Sequence, residues 1–256
     1  CGHDYGERVR LLENPFLLTA LARLSSPDGK RSEVIELLRM VNRALVCEAA
    51  GRELPTVHME VPTRMAADHP VHGVWRGPCV DPATRVVVVD MIRAGIVPAQ
   101  LCFEMLTCVL PDENVRLDHV TLSRATDKTG HVVGADLGAG KVGGTVEGAI
   151  LFMPDPMGAT GSTVKRTLDY YFEHHGRPSK VICIPTMATP EYVRAVLAIA
   201  PEVRIVTARI DRGLSPPDVL AARPGKHWDR ERGLDDRSYI VPGAGGMGEI
   251  LNNAWC

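Results

Sequence analysis

The stretch "DPMGATGST", residues 155–163, places one carboxylate, two glycines and three hydroxyl side chains in a single short window. Glycines leave backbone N–H groups unobstructed, and a helix that starts directly after such a turn presents its positive end to them. Together these features seat an anion, above all a phosphate, with Thr160, Ser162 and Thr163 as further donors. Asp155 can then hold a polar group beside the phosphate, such as sugar hydroxyls or a hydrated cation. A ligand-free strand–turn–helix connection uses the same residues, and the turn alone does not separate the two readings.

Other chemistry-bearing patterns lead away from common enzyme classes. G-x-G-x-x-G occurs at 138–143 and again at 243–248. A dinucleotide fingerprint needs a strand before it, a helix after it and an acid some way on. The first copy runs towards a strand with no helix between, and the second lies too near the end of the sequence for a βαβ unit. Gly140-Lys141 also fails as a P-loop, because Ala135 and Val142 stand where Gly and Ser/Thr are required. "HPVH" (69–72) and His174-His175 lack the i, i+4 spacing of a helical metal pair. No G-x-S-x-G elbow is present, and the seven cysteines form no C-x-x-C pair. Scattered and odd in number, they fit a reducing, cytoplasmic setting.

The elements that must position the turn follow from periodicity. "AILFM" (149–153) reads as a short buried strand and "STVKRTLDYYFEHHG" as the helix after the turn, ending at Gly176. "RVVVVDM", β-branched and apolar on both faces, reads as a parallel strand, followed by the helix "IVPAQLCFEMLTCVL" with Pro98 in its first turn. "VRLDHVTL", "KVICIPT" and "VRIVTA" continue the strands, and "TPEYVRAVLAIAP" adds a helix with Thr189 as cap and Pro190 first. This alternation predicts an α/β fold, a central mostly parallel sheet flanked by helices. Residues 1–55 read as a helical N-terminal part: Ser32 can cap a helix closing near Gly51, with Val34, Leu38, Val41 and Leu45 on its apolar stripe. "TVHMEVPT" (56–63) reads as a strand with Val57, Met59 and Val61 inward and one wet face. Residues 123–148, rich in Gly, read as a flap or β-arm, and 212–238 as an extended, solvated loop. We expect a single domain over 1–256.

Composition restricts partners. Hydrophobic residues make up 45% and charged residues 23% of the 256, and 29 basic against 31 acidic residues give a net charge of −2. No broad nucleic-acid surface is expected from that balance. No segment reads as a signal peptide or membrane span.

At this point the sequence resembles a known family. "DPMGATGST" is similar to the phosphoribosyl-diphosphate (PRPP) motif of uracil phosphoribosyltransferases, usually close to D-P-M-L-A-T-G-G-S. "MIRAGIV" (91–97) resembles the I-L-R-A-G diphosphate loop, "SRATDK" (123–128) the segment Y-R-(D/N)-E, and "YIVPGAGGMGE" (239–249) the uracil-recognition segment. The four occur in the family's order. The resemblance implies the phosphoribosyltransferase fold, with 239–256 as base-recognition segment, and transfer of phosphoribose from PRPP to uracil to give UMP and pyrophosphate, in pyrimidine salvage. It implies that Arg93, Arg124 and Asp155 serve catalysis, and that PRPP is held by Arg93, Arg124, Asp155, Pro156, Met157, Gly158, Ala159, Thr160, Gly161, Ser162 and Thr163. Ile240, Gly245, Gly246 and Met247 are the implied base contacts, largely through the main chain. Mg2+ is expected to ride mainly on PRPP with no dedicated protein ligand. A homodimer or larger homo-oligomer is expected.

Departures from the family pattern bear on the acceptor. Gly246 stands where the family usually has an Asp that contacts PRPP, and a contact of that kind is worth roughly 10²–10³ in rate. Glu249 occupies the place of the family's second acid. Gly158 replaces Leu, Ser162 replaces Gly, Asp90 replaces Pro, and Ser123 stands where Tyr is usual. Two further readings therefore stand beside the first: a PRPP-dependent transferase for another pyrimidine or related heterocycle, and a catalytically weak nucleotide- or PRPP-binding regulatory homologue.

Overall fold

The computed structural model describes residues 2–126 and 132–254, with the backbone alone for 122–126 and 132–139. A short strand β1 (Val9–Leu11) precedes two helices, α1 (Pro15–Leu24) and α2 (Arg31–Glu53). Asn14 caps α1 by accepting from Phe16 N at 2.9 Å. The start of α2 differs from expectation: its cap is Lys30, whose side chain makes no cap bond, so Ser32 lies inside the helix. It also runs past Gly51 to Glu53, because the buried stripe of Val34, Leu38, Val41 and Leu45 extends through Ala49 to Leu54. The N-terminal part is thus not wholly helical, since β1 pairs into the main sheet.

A hairpin follows, β2 (Thr56–Pro62) against β3 (Val74–Val80), antiparallel from Thr56↔Val80 to Pro62↔Val74. Its β2 strand is exposed apart from the half-buried Met59, whereas β3 buries Gly77 and packs Val80 against the core. Val57 and Val61, expected to be covered, are 37% and 41% exposed, and Met59 between them is half-buried.

The rest is strand–helix alternation: β4 (Val86–Ile92), α3 (Ile96–Thr107), β5 (Val115–Thr126), β6 (Val132–Lys141), β7 (Ile150–Gly158), α4 (Ser162–His174), β8 (Lys180–Ala188), α5 (Pro190–Leu197), β9 (Val203–Thr207) and β10 (Arg209–Ile210). Two short helices close the described chain, α6 (Pro217–Ala221) and α7 (Met247–Asn252). Among the described residues the main sheet has the order β1-β9-β8-β7-β4-β5-β6, with β10 on β8. All its pairs are parallel except β5 with β6, the arm expected over 123–148.

Alternation along the strands divides the core into two layers. Val86, Val88, Phe152, Ile182 and Ile184 face α1, α2 and α3, whereas Val87, Val89, Leu151, Met153 and Cys183 face α4 and α5. Both faces of the sheet are therefore covered, which is what an all-apolar strand such as "VVVV" requires.

The chain order places a switch point between β4 and β7. From β4 the chain crosses through α3 to β5 on one side; β7, β8 and β9 are then added on the other. Pairing of β4 with β7 spans only Val86↔Ile150 to Val88↔Phe152. Beyond it β4 stays with β5 to Ile92↔Thr121, and β7 stays with β8 to Gly158↔Ala188. The two strands part like a fork, and crevices at the carboxyl ends of strands beside a switch point are where ligands lodge in such sheets.

Candidate functional site

One prong of the fork carries the anion turn. β7 runs five residues further than the apolar segment indicates, through Asp155 to Gly158, because its backbone keeps pairing with β8. Asp155 Oδ1 accepts from Met157 N at 2.9 Å. Burial raises the Asp155 carboxyl to about 7, against the opposing pull of that N–H. After Gly158 the turn is held from behind by Thr189. Its N–H donates to Gly158 O at 3.0 Å and its hydroxyl to Ala159 O at 2.6 Å, while Oγ1 accepts from Tyr192 N at 3.0 Å as the cap of α5. Two carbonyls of the turn are thereby drawn towards α5. The N–H groups of Thr160, Gly161 and Thr163 donate to no backbone carbonyl among the described residues, which leaves them for a ligand.

Glycine is required twice here for different reasons. Gly161 has φ +79°, the left-handed region, and a Cβ there meets Val196 Cγ2 at 3.0 Å. A Cβ on Gly158 meets Pro185 Cβ at 2.9 Å and the Tyr192 ring at 3.1 Å. The Tyr192 ring thus fills the space into which a larger residue 158 extends, consistent with Gly in place of Leu. Thr160 Oγ1 lies 2.8 Å from Ser162 Oγ and accepts from Ser162 N at 3.2 Å, so these two hydroxyls are a preset pair. Ala159, Thr160, Ser162 and Thr163 are all partly accessible, whereas Pro156 is buried and shapes the turn from below.

The other prong ends in Arg93-Ala94-Gly95, the turn between β4 and α3. Its compactness depends on Gly95, where a Cβ falls 2.7 Å from Met91 O. The Ile92–Arg93 peptide is cis. Arg93 Nη1 donates to Ala254 O at 3.0 Å, so its guanidinium is tied to the C-terminal segment in this structure. Two residues before Ile92, Asp90 is buried with Oδ2 2.8 Å from His119 Nδ1. Burial raises the Asp90 carboxyl, and the His119 contact opposes this. Arg124 sits on β5 opposite Ala135, and its side chain lies outside the described residues.

The segment at 239–249, expected to recognise the base, lies on the third side. Ile240 and Met247 are 5% and 2% exposed, their side chains in the core, so each offers only main chain to a ligand. Gly243, with φ +58°, sits so close to Ile240 that a Cβ falls 2.2 Å from Ile240 O. The segment bends through a cis Val241–Pro242 peptide and left-handed Gly245, φ +73°. Gly248 brings it beside the arginine turn, its Cβ position 3.8 Å from Ala94 Cβ.

Two residues that sequence reading missed hold this segment. Asp211, 2% exposed, accepts from Gly243 N at 2.9 Å through Oδ2. Arg209 donates from Nη2 to Gly243 O at 3.1 Å and grips Asp211 through Nε at 2.5 Å and Nη2 at 2.8 Å. Their i, i+2 spacing on a strand end, with no matching signal near 243, gave no hint of this clamp. The 212–238 stretch also departs from the solvated loop expected. Glu231, fully buried, accepts from Tyr5 Oη at 2.5 Å, Arg212 Nη1 at 2.9 Å and Gly225 N at 2.8 Å. A paired buried charge pins the stretch, because a lone one there is untenable.

The arrangement brings the anion turn, the arginine turn and a glycine-rich backbone to one end of the sheet. Such a site can hold a phosphate, a second anionic group and a flat heterocycle. No group of three or more His, Cys, Asp or Glu side chains positioned to hold a metal occurs among the described residues, and no helix there is long and apolar enough to cross a membrane.

Comparison with known proteins accords with this geometry. The family model for uracil phosphoribosyltransferase matches residues 11–225. That match takes in both prongs of the fork and ends before the segment at 239–249. A uracil phosphoribosyltransferase from Symbiobacterium thermophilum is 27% identical over 95% of this chain and 97% of its own length. One from Beutenbergia cavernae is 29% identical over 95% and 98%. Among solved structures, the AQ2163 protein from Aquifex aeolicus superposes with a TM-score of 0.70 at 22% identity, covering 95% of this chain and 97% of that one. An adenine phosphoribosyltransferase from Trypanosoma brucei gives 0.51 at 11% identity over 86% and 91%, a likeness of fold.

Proposed function

This chain belongs to the uracil phosphoribosyltransferase family, and on that premise we propose that it transfers phosphoribose from PRPP to uracil, releasing UMP and pyrophosphate. The observation that carries the reading is the anion turn at the fork: N–H groups of Thr160, Gly161 and Thr163 that donate to no backbone carbonyl among the described residues, with their neighbouring carbonyls held away by Thr189. The 5-phosphate sits on those groups, with the paired hydroxyls of Thr160 and Ser162 beside them. Asp155 faces the ribose. Arg93, exchanging Ala254 O for an anionic oxygen, holds the diphosphate by charge-assisted bonds, and Arg124 serves the same group.

In the reaction the bond from the anomeric carbon to the diphosphate oxygen breaks with its electron pair leaving on the diphosphate, and the bond to uracil N1 forms as N1 releases its proton to solvent. The protein contributes no nucleophile. It aligns the two reactants and stabilises charge on the departing diphosphate. A magnesium ion supplies further neutralisation when bound. The donor set fits an ion carried on the substrate's oxygens, since Asp155 keeps one carboxylate oxygen beyond the one that accepts from Met157 N. We place the activity in pyrimidine salvage in the cytoplasm, in a homo-oligomer.

A second reading, a different pyrimidine or related heterocycle as acceptor, draws on Gly246, which brings no side chain to the base segment. Pyrophosphate release with PRPP, Mg2+ and a panel of bases tests both. Turnover with uracil well above every other base is the expected result. Turnover confined to another heterocycle shifts the assignment to the second reading, and PRPP binding without turnover on any base overturns both.

A further inference from the structure

Tyr192 stands directly behind the anion turn, and its hydroxyl is unpaired. Its backbone is fixed by Thr189, whose Oγ1 accepts from Tyr192 N at 3.0 Å. The ring lies so close to Gly158 that a Cβ there falls 3.1 Å from its Cγ and Cδ2. The residue is 2% exposed, and its Oη has no hydrogen-bond partner among the described residues. A phenylalanine fills the same space without burying an unpaired hydroxyl, which carries its full desolvation penalty.

The surroundings narrow the acceptor that such a hydroxyl can serve. Met153 and Asp155, two apart on β7, share a face of the sheet, and their partners on β8 are Cys183 and Pro185. Burial, then the Cys183 thiol and the Asp155 carboxylate, push the Tyr192 hydroxyl well above its ordinary value, so it stays protonated and remains a donor. Cys183, fully buried, offers only sulfur, a weak acceptor. Asp155 offers oxygen: Oδ1 takes the Met157 N–H, and Oδ2 takes no bond among the described residues. The charged groups of the neighbouring helices are engaged elsewhere or exposed. Glu191 accepts from Gly233 N at 3.0 Å, Arg194 donates to Trp228 O, exposed Lys165 pairs with Asp169 at 2.8 Å, and Arg166 is exposed.

We propose that Tyr192 is a positioning residue for Asp155: with PRPP·Mg bound, its hydroxyl donates to the ionised carboxylate and fixes the oxygen that receives the ribose. The inference rests on the PRPP reading above. A carboxylate oxygen has two lone pairs, so Asp155 accepts from Tyr192 and from the sugar together. Burial favours the neutral acid, raised to about 7. A donor that serves the anion offsets that penalty, and bonds to an ionised acceptor are the stronger kind.

Isothermal titration of PRPP·Mg at pH 8, without base, into Tyr192→Phe and into Tyr192→Phe combined with Asp155→Asn tests this. Tyr192→Phe is expected to weaken binding about tenfold, the scale of a hydrogen bond to a charged group, and to melt at or above the wild-type temperature. Beside Asp155→Asn alone, the combined variant is expected to lose about twofold or less, since two groups acting through one bond are not additive. Wild-type affinity in Tyr192→Phe overturns the role of Tyr192 alone. An equal loss on both backgrounds also overturns it, being what lost packing on Gly158 gives. A wild-type chain that takes up no PRPP·Mg overturns the transferase reading, and this inference with it.

Discussion

Replacing Asp155 by Asn should make the protein more stable and a poorer binder at once. The carboxyl is raised from 3.8 to about 7, chiefly by burial. A carboxyl raised on folding is stabilising while protonated. Its contribution is fully present below the unfolded value and is lost as pH climbs through the folded one. Wild-type stability should therefore fall between about pH 4 and pH 7 and level off above, the loss approaching about 4 kcal/mol as an upper bound because Asp155 is partly accessible. Asparagine keeps Oδ1 for Met157 N–H and removes the titration. Urea denaturation of both proteins at pH 5 and pH 8 measures the difference. The advantage of Asp155→Asn should be about 2 kcal/mol larger at pH 8 than at pH 5, while PRPP·Mg affinity drops. An advantage that does not grow with pH, or a variant less stable than wild type at pH 8, refutes the reasoning that this acid is buried at the expense of the fold.

Two further predictions concern the supports of the site. Gly161→Ala combines a left-handed backbone, costing about 1–2 kcal/mol, with overpacking against Val196, about 1–3 kcal/mol, and should lower the melting temperature by roughly 5–15 °C in a chain of this size; an unchanged melt contradicts the geometry of the turn. Asp211→Asn loosens the clamp on Gly243 and should raise the KM for the base about tenfold, the scale of one charge-assisted hydrogen bond, with PRPP·Mg affinity held; equal losses in both would place Asp211 outside base recognition.

What could be read from the sequence was whatever is written locally. The buried valines of β4, the Thr189-Pro190 start of α5 and the glycine-hydroxyl turn each carry their signal within a few residues. Contacts made across the fold carried none. Thr189 was legible as a cap, yet its grip on Ala159 O spans 30 residues of sequence. The Asp211–Gly243 bond spans 32, and Tyr5 meets Glu231 across 226. Sheet membership was similarly hidden for β1, which is too short to show a period. The exposure of Val57 and Val61 was misread because alternation says that one face is apolar, not that anything lies over it.

The bond between Tyr5 and Glu231 carries a practical consequence. Glu231 also steadies Arg212, and Arg212 directly follows the acid that clamps Gly243, so Tyr5 is linked to the segment proposed to hold the acceptor. On the proposed reading, a fusion partner or protease cut placed next to Tyr5 is expected to disturb substrate choice through contacts distant in the sequence. An activity assay on such a preparation would report the damage as a specificity defect, with the nucleotide cradle itself still intact.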